Sequence, residues 1–130
     1  MRTRRVFLDR LDAEMAPHDV VVVIDVLRSF STAAYAFAAG AGLIYPVETI
    51  AAARRLQAAM PDALTTGAVG GGDPIPGFDF GNTPTAFQNL RLENRPLIQS
   101  TAAGARGITR FNQVRALFAG SLVCARATAT

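Results

Sequence analysis

Hydrophobic positions along this chain come in short runs whose rhythm changes from one segment to the next. Val20 to Val26 reads VVVVIDV, a continuous β-branched run of the kind that forms a strand buried on both faces. The following TAAYAFAA has helical character, with Ser29 or Ser31 as its cap and Gly40 in the stop position. Leu43 to Val47 is a second apolar run. Thr49 then caps IAAARRLQAAM, whose Arg54 and Arg55 lie on the wet side, and Pro61 follows. Ala63 to Thr66 reads as a short strand, followed by a glycine-rich stretch from Gly67 through Gly81. Thr83-Pro84 is an N-cap with proline at the first helical position, which predicts a helix through Thr85 to about Leu90. Pro96 to Ser100 is a strand, Ala103 to Phe111 a weak helix opposed by two glycines, and Leu117 to Ala125 a last strand interrupted by Gly120. Strands alternating with ten-residue helices predict a single α/β domain over 1–130. The pattern predicts a mostly parallel sheet with helices on both faces in three layers, and it leaves room for a sheet incomplete at the C-terminal edge. An open edge after Ala125 predicts a homo-oligomer.

In such sheets ligands gather beyond the carboxyl ends of the strands. Three segments arrive there with polar groups: DVLRSFST (Asp25 to Thr32), GFDFGNTP (Gly77 to Pro84) and STAAGARG (Ser100 to Gly107). Asp25 sits inside an apolar strand, where a bare carboxylate is costly, so it must be paired, hydrogen-bonded or on a metal. Either it pairs with Arg28 while a serine merely caps the helix, or Arg28, Ser29 and Ser31 hold an anion at a helix start. Asp79 and Asn82 flank Gly81 and offer the hard oxygens that Mg²⁺ takes; the alternative is an Asx turn that only shapes the loop. Ser100 and Thr101 are either an ordinary cap or a further anion contact. His18 reads as a solvated loop residue and Cys124 as inert core, while Glu48 and Thr49 open a helix.

Composition narrows the field. Half of the 130 residues are hydrophobic and 18% are charged, which excludes a disordered tail. All 13 cationic side chains are Arg, and against 10 acids they give +3. No like-charged block recurs on a helical or strand period, so no nucleic-acid partner is expected. Seven Arg and seven acids lie in residues 1–65, whereas five Arg and no acid follow Glu93. A single cysteine excludes a disulfide framework, and a single histidine excludes a site that needs two imidazoles. No apolar run reaches the ~18 residues of a membrane span, and the basic start is not followed by the apolar core of a signal peptide. A cytoplasmic protein without a membrane partner is the expectation.

Several phosphatase chemistries fail at the residue level. The second aspartate of a haloacid-type enzyme would stand where Leu27 stands. The arginine six places after a nucleophilic Cys124 would be Thr130, there is no Arg-His pair, and a Walker loop lacks its lysine.

Taken together, VVVVIDVLRSFST, GGGDPIPGFDFGNTP, STAAGARG and the closing SLVCA resemble the 2-phosphosulfolactate phosphatase family in order and spacing. They cover about the first half of a typical member. The resemblance implies an α/β fold and Mg²⁺-dependent hydrolysis of (R)-2-phospho-3-sulfolactate to sulfolactate and phosphate, on the route to coenzyme M. That substrate carries phosphate, sulfonate and carboxylate, about −4 in all. By the same resemblance Asp25 and Asp79 are the catalytic, metal-holding carboxylates. Arg28, Ser29, Ser31, Asn82 and Thr101 bind substrate. The chain departs from the family pattern at Ala68, Ala103, Ala105 and Cys124, where members carry polar groups. Those losses motivate the alternative of a catalytically impaired anion-binding or subunit-association module of the same fold. A weaker alternative is a surface for an acidic partner built from Arg106, Arg110, Arg115 and Arg126.

Overall fold

The structure is a computed structural model and describes residues 3–7, 19–111 and 113–130. Among them are six strands, β1 (Val20–Ile24), β2 (Ile44–Val47), β3 (Leu64–Gly67), β4 (Phe80–Gly81), β5 (Leu97–Ser100) and β6 (Ala116–Gly120). The α-helices are α1 (Ser29–Ala38), α2 (Ile50–Ala59), α3 (Gly104–Arg110) and α4 (Ala125–Ala129). All strand pairings are parallel, as the alternation of strand and helix requires. The strands fall into two sheets rather than one. β2, β5, β3 and β4 lie side by side in that order, while β1 pairs with β6 from Val20 opposite Ala116 to Ile24 opposite Gly120. β5 is central, flanked by β2 and β3, while β1 and β6 form the separate pair.

Successive residues of β5 face opposite ways and organise the layers. Leu97, fully buried, packs with Ala36 of α1, Phe87 and Leu92. Ile98, equally buried, packs with Ala53 of α2 and Ala63. α1 therefore covers one face of the larger sheet and α2 the other. Leu97 and Ile98 each contribute about 1.5–3 kcal/mol by leaving water. A third cluster, Val23, Phe30 and Phe111, fastens the inner face of β1 to α1 and to the chain after α3.

Thr49 caps α2 as expected, its Oγ1 accepting the Ala52 N–H at 3.1 Å, and Gly40 stands just beyond α1 at φ +94°. Ser29 and Ser31 are not caps. Both are buried inside α1, and Arg28 occupies the cap position without a side-chain capping bond. The helix expected over Thr85 to Leu90 is a single 3-10 turn, Pro84–Phe87. Thr83 makes no capping bond, Gln88 is extended and Asn89 takes φ +62°, while Phe87 turns inward against Phe80 with ring centroids 4.8 Å apart. The last strand ends at Gly120 instead of Ala125. Buried Ser121 and Cys124 form a reciprocal capping box there, and the chain turns through Leu122–Cys124 into α4. The edge foreseen after Ala125 is thus a helix. β4 escapes the sequence pattern because its two residues, Phe80 and Gly81, set between Asp79 and Asn82, are too few to carry a periodicity.

Candidate active site

A cleft of about 290 Å³ opens where the carboxyl ends of β1, β3 and β5 come together. β1 delivers Asp25, Leu27 and Arg28 to it, α1 begins there with Ser29, and the segment after β5 adds Thr101, Ala102 and Ala103. The glycine loop after β3 closes the far side through Ala68, Val69, Gly70 and Gly72, and Asn82 reaches in after β4.

Asp25 and Arg28 do not neutralise each other: among the described residues no ion pair joins them. The Ser29 N–H donates to Asp25 Oδ1 at 3.3 Å, and Arg28 Nη2 donates to the Gly72 carbonyl at 3.2 Å, so the guanidinium holds the glycine loop. Gly72 has φ +94°, a conformation that side chains rarely adopt, and a Cβ there would displace the Arg28 guanidinium from its bond to this loop. Gly104 is equally constrained. A Cβ on it would lie 2.6 Å from Ser29 Cβ and 2.9 Å from Asp25 Oδ2. α3 can approach the carboxylate this closely only because its first residue is glycine.

Behind this wall lies a buried polar relay. Ser29 Oγ donates to Thr101 Oγ1 at 3.0 Å, and Thr101 Oγ1 also accepts the Ala105 N–H at 3.0 Å. Gln99 Nε2, on β5, donates to the Ser29 carbonyl at 2.9 Å. These bonds fix the first turn of α1 against the end of β5. Gln99 is missing from the sequence-derived set; the one clue to it is a lone amide in the apolar strand LIQS. Asn82 contributes differently. It is buried, lines the cleft, and its Oδ1 has no hydrogen-bond partner among the described residues. An unpartnered buried acceptor costs about 1–3 kcal/mol, which a cation or donor supplied by a ligand would recover.

Asp25, Arg28, Ser29, Asn82 and Thr101 are thus brought together. Asp79 and Ser31 are not among the residues lining the cleft. Asp79 Oδ2 accepts the Thr65 N–H at 2.8 Å and the Thr65 hydroxyl at 2.7 Å, while its own N–H donates to Thr65 Oγ1 at 2.9 Å. This reciprocal clamp ties the base of the glycine loop to β3. Ser31 Oγ donates to the Val26 carbonyl at 2.8 Å and secures the turn between β1 and α1. Cys124 is not core. It is partly exposed, and the Ser121 hydroxyl at 3.3 Å, followed by the Ser121 N–H and the Thr128 hydroxyl, lowers its pKa against the opposing effect of burial. His18 lies outside the described residues.

Fold and cleft define a class: a parallel α/β protein whose strand ends present one carboxylate, one guanidinium and an unpartnered amide oxygen to a shared cleft. Comparison with known proteins sharpens it. The family described as 2-phosphosulpholactate phosphatase matches residues 7–130. The chain belongs to that family. It is 42% identical to a "Probable 2-phosphosulfolactate phosphatase" of Carboxydothermus hydrogenoformans over 114 residues, 88% of this chain and 47% of the relative. A protein of the same name from Bacillus subtilis is 36% identical over 88% of this chain and 50% of its own length. One from Deinococcus radiodurans is 34% identical over 92% and 52% respectively. The chain spans about half the length of the curated relatives it matches. Among the described residues no helix is long and apolar enough to cross a membrane.

Proposed function

We propose that the cleft binds a small phosphate ester and takes part in its hydrolysis, with (R)-2-phospho-3-sulfolactate, an intermediate on a route to coenzyme M, as the first substrate to test. The observation that carries this reading is the convergence of Asp25, Arg28 and the unpartnered Asn82 Oδ1 on one cleft at the strand ends. Hydrolysis joins a water oxygen to phosphorus and breaks the ester P–O bond, leaving an alcohol and phosphate. Arg28 presents donors to phosphoryl oxygens, and its bond to Gly72 keeps the guanidinium at the cleft wall. The Ser29–Thr101 relay orients two hydroxyls at the start of α1.

The donor set fits Mg²⁺. No group of three or more His, Cys, Asp and Glu able to hold a metal occurs among the described residues. Mg²⁺, however, commonly takes one or two protein oxygens and completes its shell with water and substrate phosphate. Asp25 and Asn82 would hold it; Asp79, with Oδ2 committed to Thr65, would hold the loop instead. When bound, the ion would supply charge neutralisation at the phosphoryl group.

The test is phosphate release from (R)-2-phospho-3-sulfolactate with and without Mg²⁺. Release that needs Mg²⁺ and falls at least 10²-fold in Asp25→Ala and in Asn82→Ala is expected, the loss typical of one preorganised electrostatic group. Equal, negligible rates in all three proteins would remove the enzymatic reading. One observation favours a second reading, an anion-binding module without turnover: Ala68, Ala102 and Ala103 give the cleft wall no side-chain donor. That reading predicts saturable binding of sulfolactate by calorimetry and no phosphate release.

A further inference from the structure

The curated relatives are about twice the length of the stretch matched here, so a family-length chain has as many residues again to pack against this half. The structure has a face fit to receive them. On the outer side of the β1–β6 pair, Val20 is 57% exposed, Val22 46%, Ile24 65% and Phe118 44%, whereas Val23 on the inner side is 4% exposed. The register sets Val22 opposite Phe118 and Ile24 opposite Gly120. A Cβ on Gly120 would stand 3.5 Å from Val22 Cγ1, 3.7 Å from Ile24 Cγ1 and 3.8 Å from Thr128 Cγ2, so these residues share one surface, which α4 meets at buried Gly120 and leaves open over Val20, Val22, Ile24 and Phe118. Its six positions are Val, Val, Ile, Ala, Phe and Gly, with no polar residue among them. A sheet face that meets water alternates with polar residues. Contiguous exposed apolar surface of this kind marks an interaction site, and a two-stranded pair is marginal unless something packs against it.

We propose that the outer face of β1–β6 is the docking surface for the polypeptide forming the half of the family's relatives that this chain does not match. A second copy of this chain would cover the face too, but it would leave the extra length of the relatives without a seat. The surface also leads toward the cleft. Leu27, three residues beyond Ile24, is 87% exposed and lines the cleft, so an occupant spreading from β1 would add a wall to it. The proposal rests on family membership rather than on the phosphatase reading, and its test needs no turnover.

Co-expression of this chain with the unmatched half of the Carboxydothermus hydrogenoformans relative, followed by size exclusion with light scattering, reads it directly. A 1:1 complex is expected. Amide exchange in β1 and β6 should slow within it. Val20→Asp combined with Phe118→Asp should lower the recovered complex at least tenfold while the circular dichroism of the chain alone is unchanged. Should that pair fail to fold, Val20→Thr with Val22→Thr keeps the β-branched shape and should weaken the complex in the same direction. The proposal is overturned by a homodimer that the same substitutions dissolve, by a complex indifferent to them, or by a relative's half that remains insoluble or unbound beside the chain.

Discussion

Two aspartates that look interchangeable in the sequence do different work at the residue scale. Asp25 faces the cleft with one oxygen lightly held, and Asp79 spends Oδ2 on Thr65. Substituting each should therefore give opposite phenotypes. Asp25→Ala should remove phosphate release and leave the melting temperature nearly unchanged. Asp79→Ala should strand the N–H and hydroxyl of buried Thr65 and lower stability by about 1–2 kcal/mol, a discounted figure because the carboxylate itself is exposed. Urea unfolding with an unchanged m-value checks it. Cys124 carries a pH dependence. Its folded pKa is depressed, chiefly by the Ser121 hydroxyl, so the stability it contributes is present above the unfolded value and is lost as pH falls through the folded one. Alkylation by iodoacetamide should reach half its maximal rate below the ordinary thiol pKa, and Ser121→Ala should move that midpoint upward.

At the scale of elements, Phe30 joins α1 to β1 in the cluster with Val23 and Phe111. Phe30→Ala should destabilise by about 3–5 kcal/mol, with loss of near-ultraviolet dichroism preceding loss of helix. The elements that the sequence made legible are those with a strong local cause: the Thr49 cap for α2, the apolar LI of β5, and VVVVI for β1, although that strand ends at Ile24 and exposes Val20, Val22 and Ile24 where the run predicts burial on both faces. Ends and short pieces were not legible, because tertiary contacts decided them. Phe87 stops a helix by turning toward Phe80, and the Ser121–Cys124 box bends a strand-like run into α4. Residue types and spacing singled out Asp25, Arg28, Ser29, Asn82 and Thr101, all of which the fold delivers to the cleft. Asp79 and Ser31 stand outside that lining, and their places were not legible, since nothing in a sequence says that a carboxylate will meet a threonine fourteen residues earlier, or that a hydroxyl will turn back on the Val26 carbonyl.

For the molecule as a whole, the mild excess of +3 does not reach the cleft, where Arg28 and Asp25 are the charged residues of the lining. Anion affinity should depend on that one guanidinium rather than on the general field. Inorganic phosphate at a hundred times its Kd should add about 2.7 kcal/mol of stability, seen as a rise in melting temperature. Arg28→Ala should abolish most of that rise, and moderate salt should reduce it less than it would at a fully exposed patch.

The loop between β3 and β4 is tied at its base by Thr65 and Asp79, crossed by the bridge between Ala68 and Pro74, anchored by buried Ile75 and held near its tip by Arg28. Those fastenings make it a cassette. Its rim, at Val69 and Gly70, can be exchanged for the corresponding stretch of a relative without disturbing the sheet, and ligand preference is then the property that should travel with the transplant.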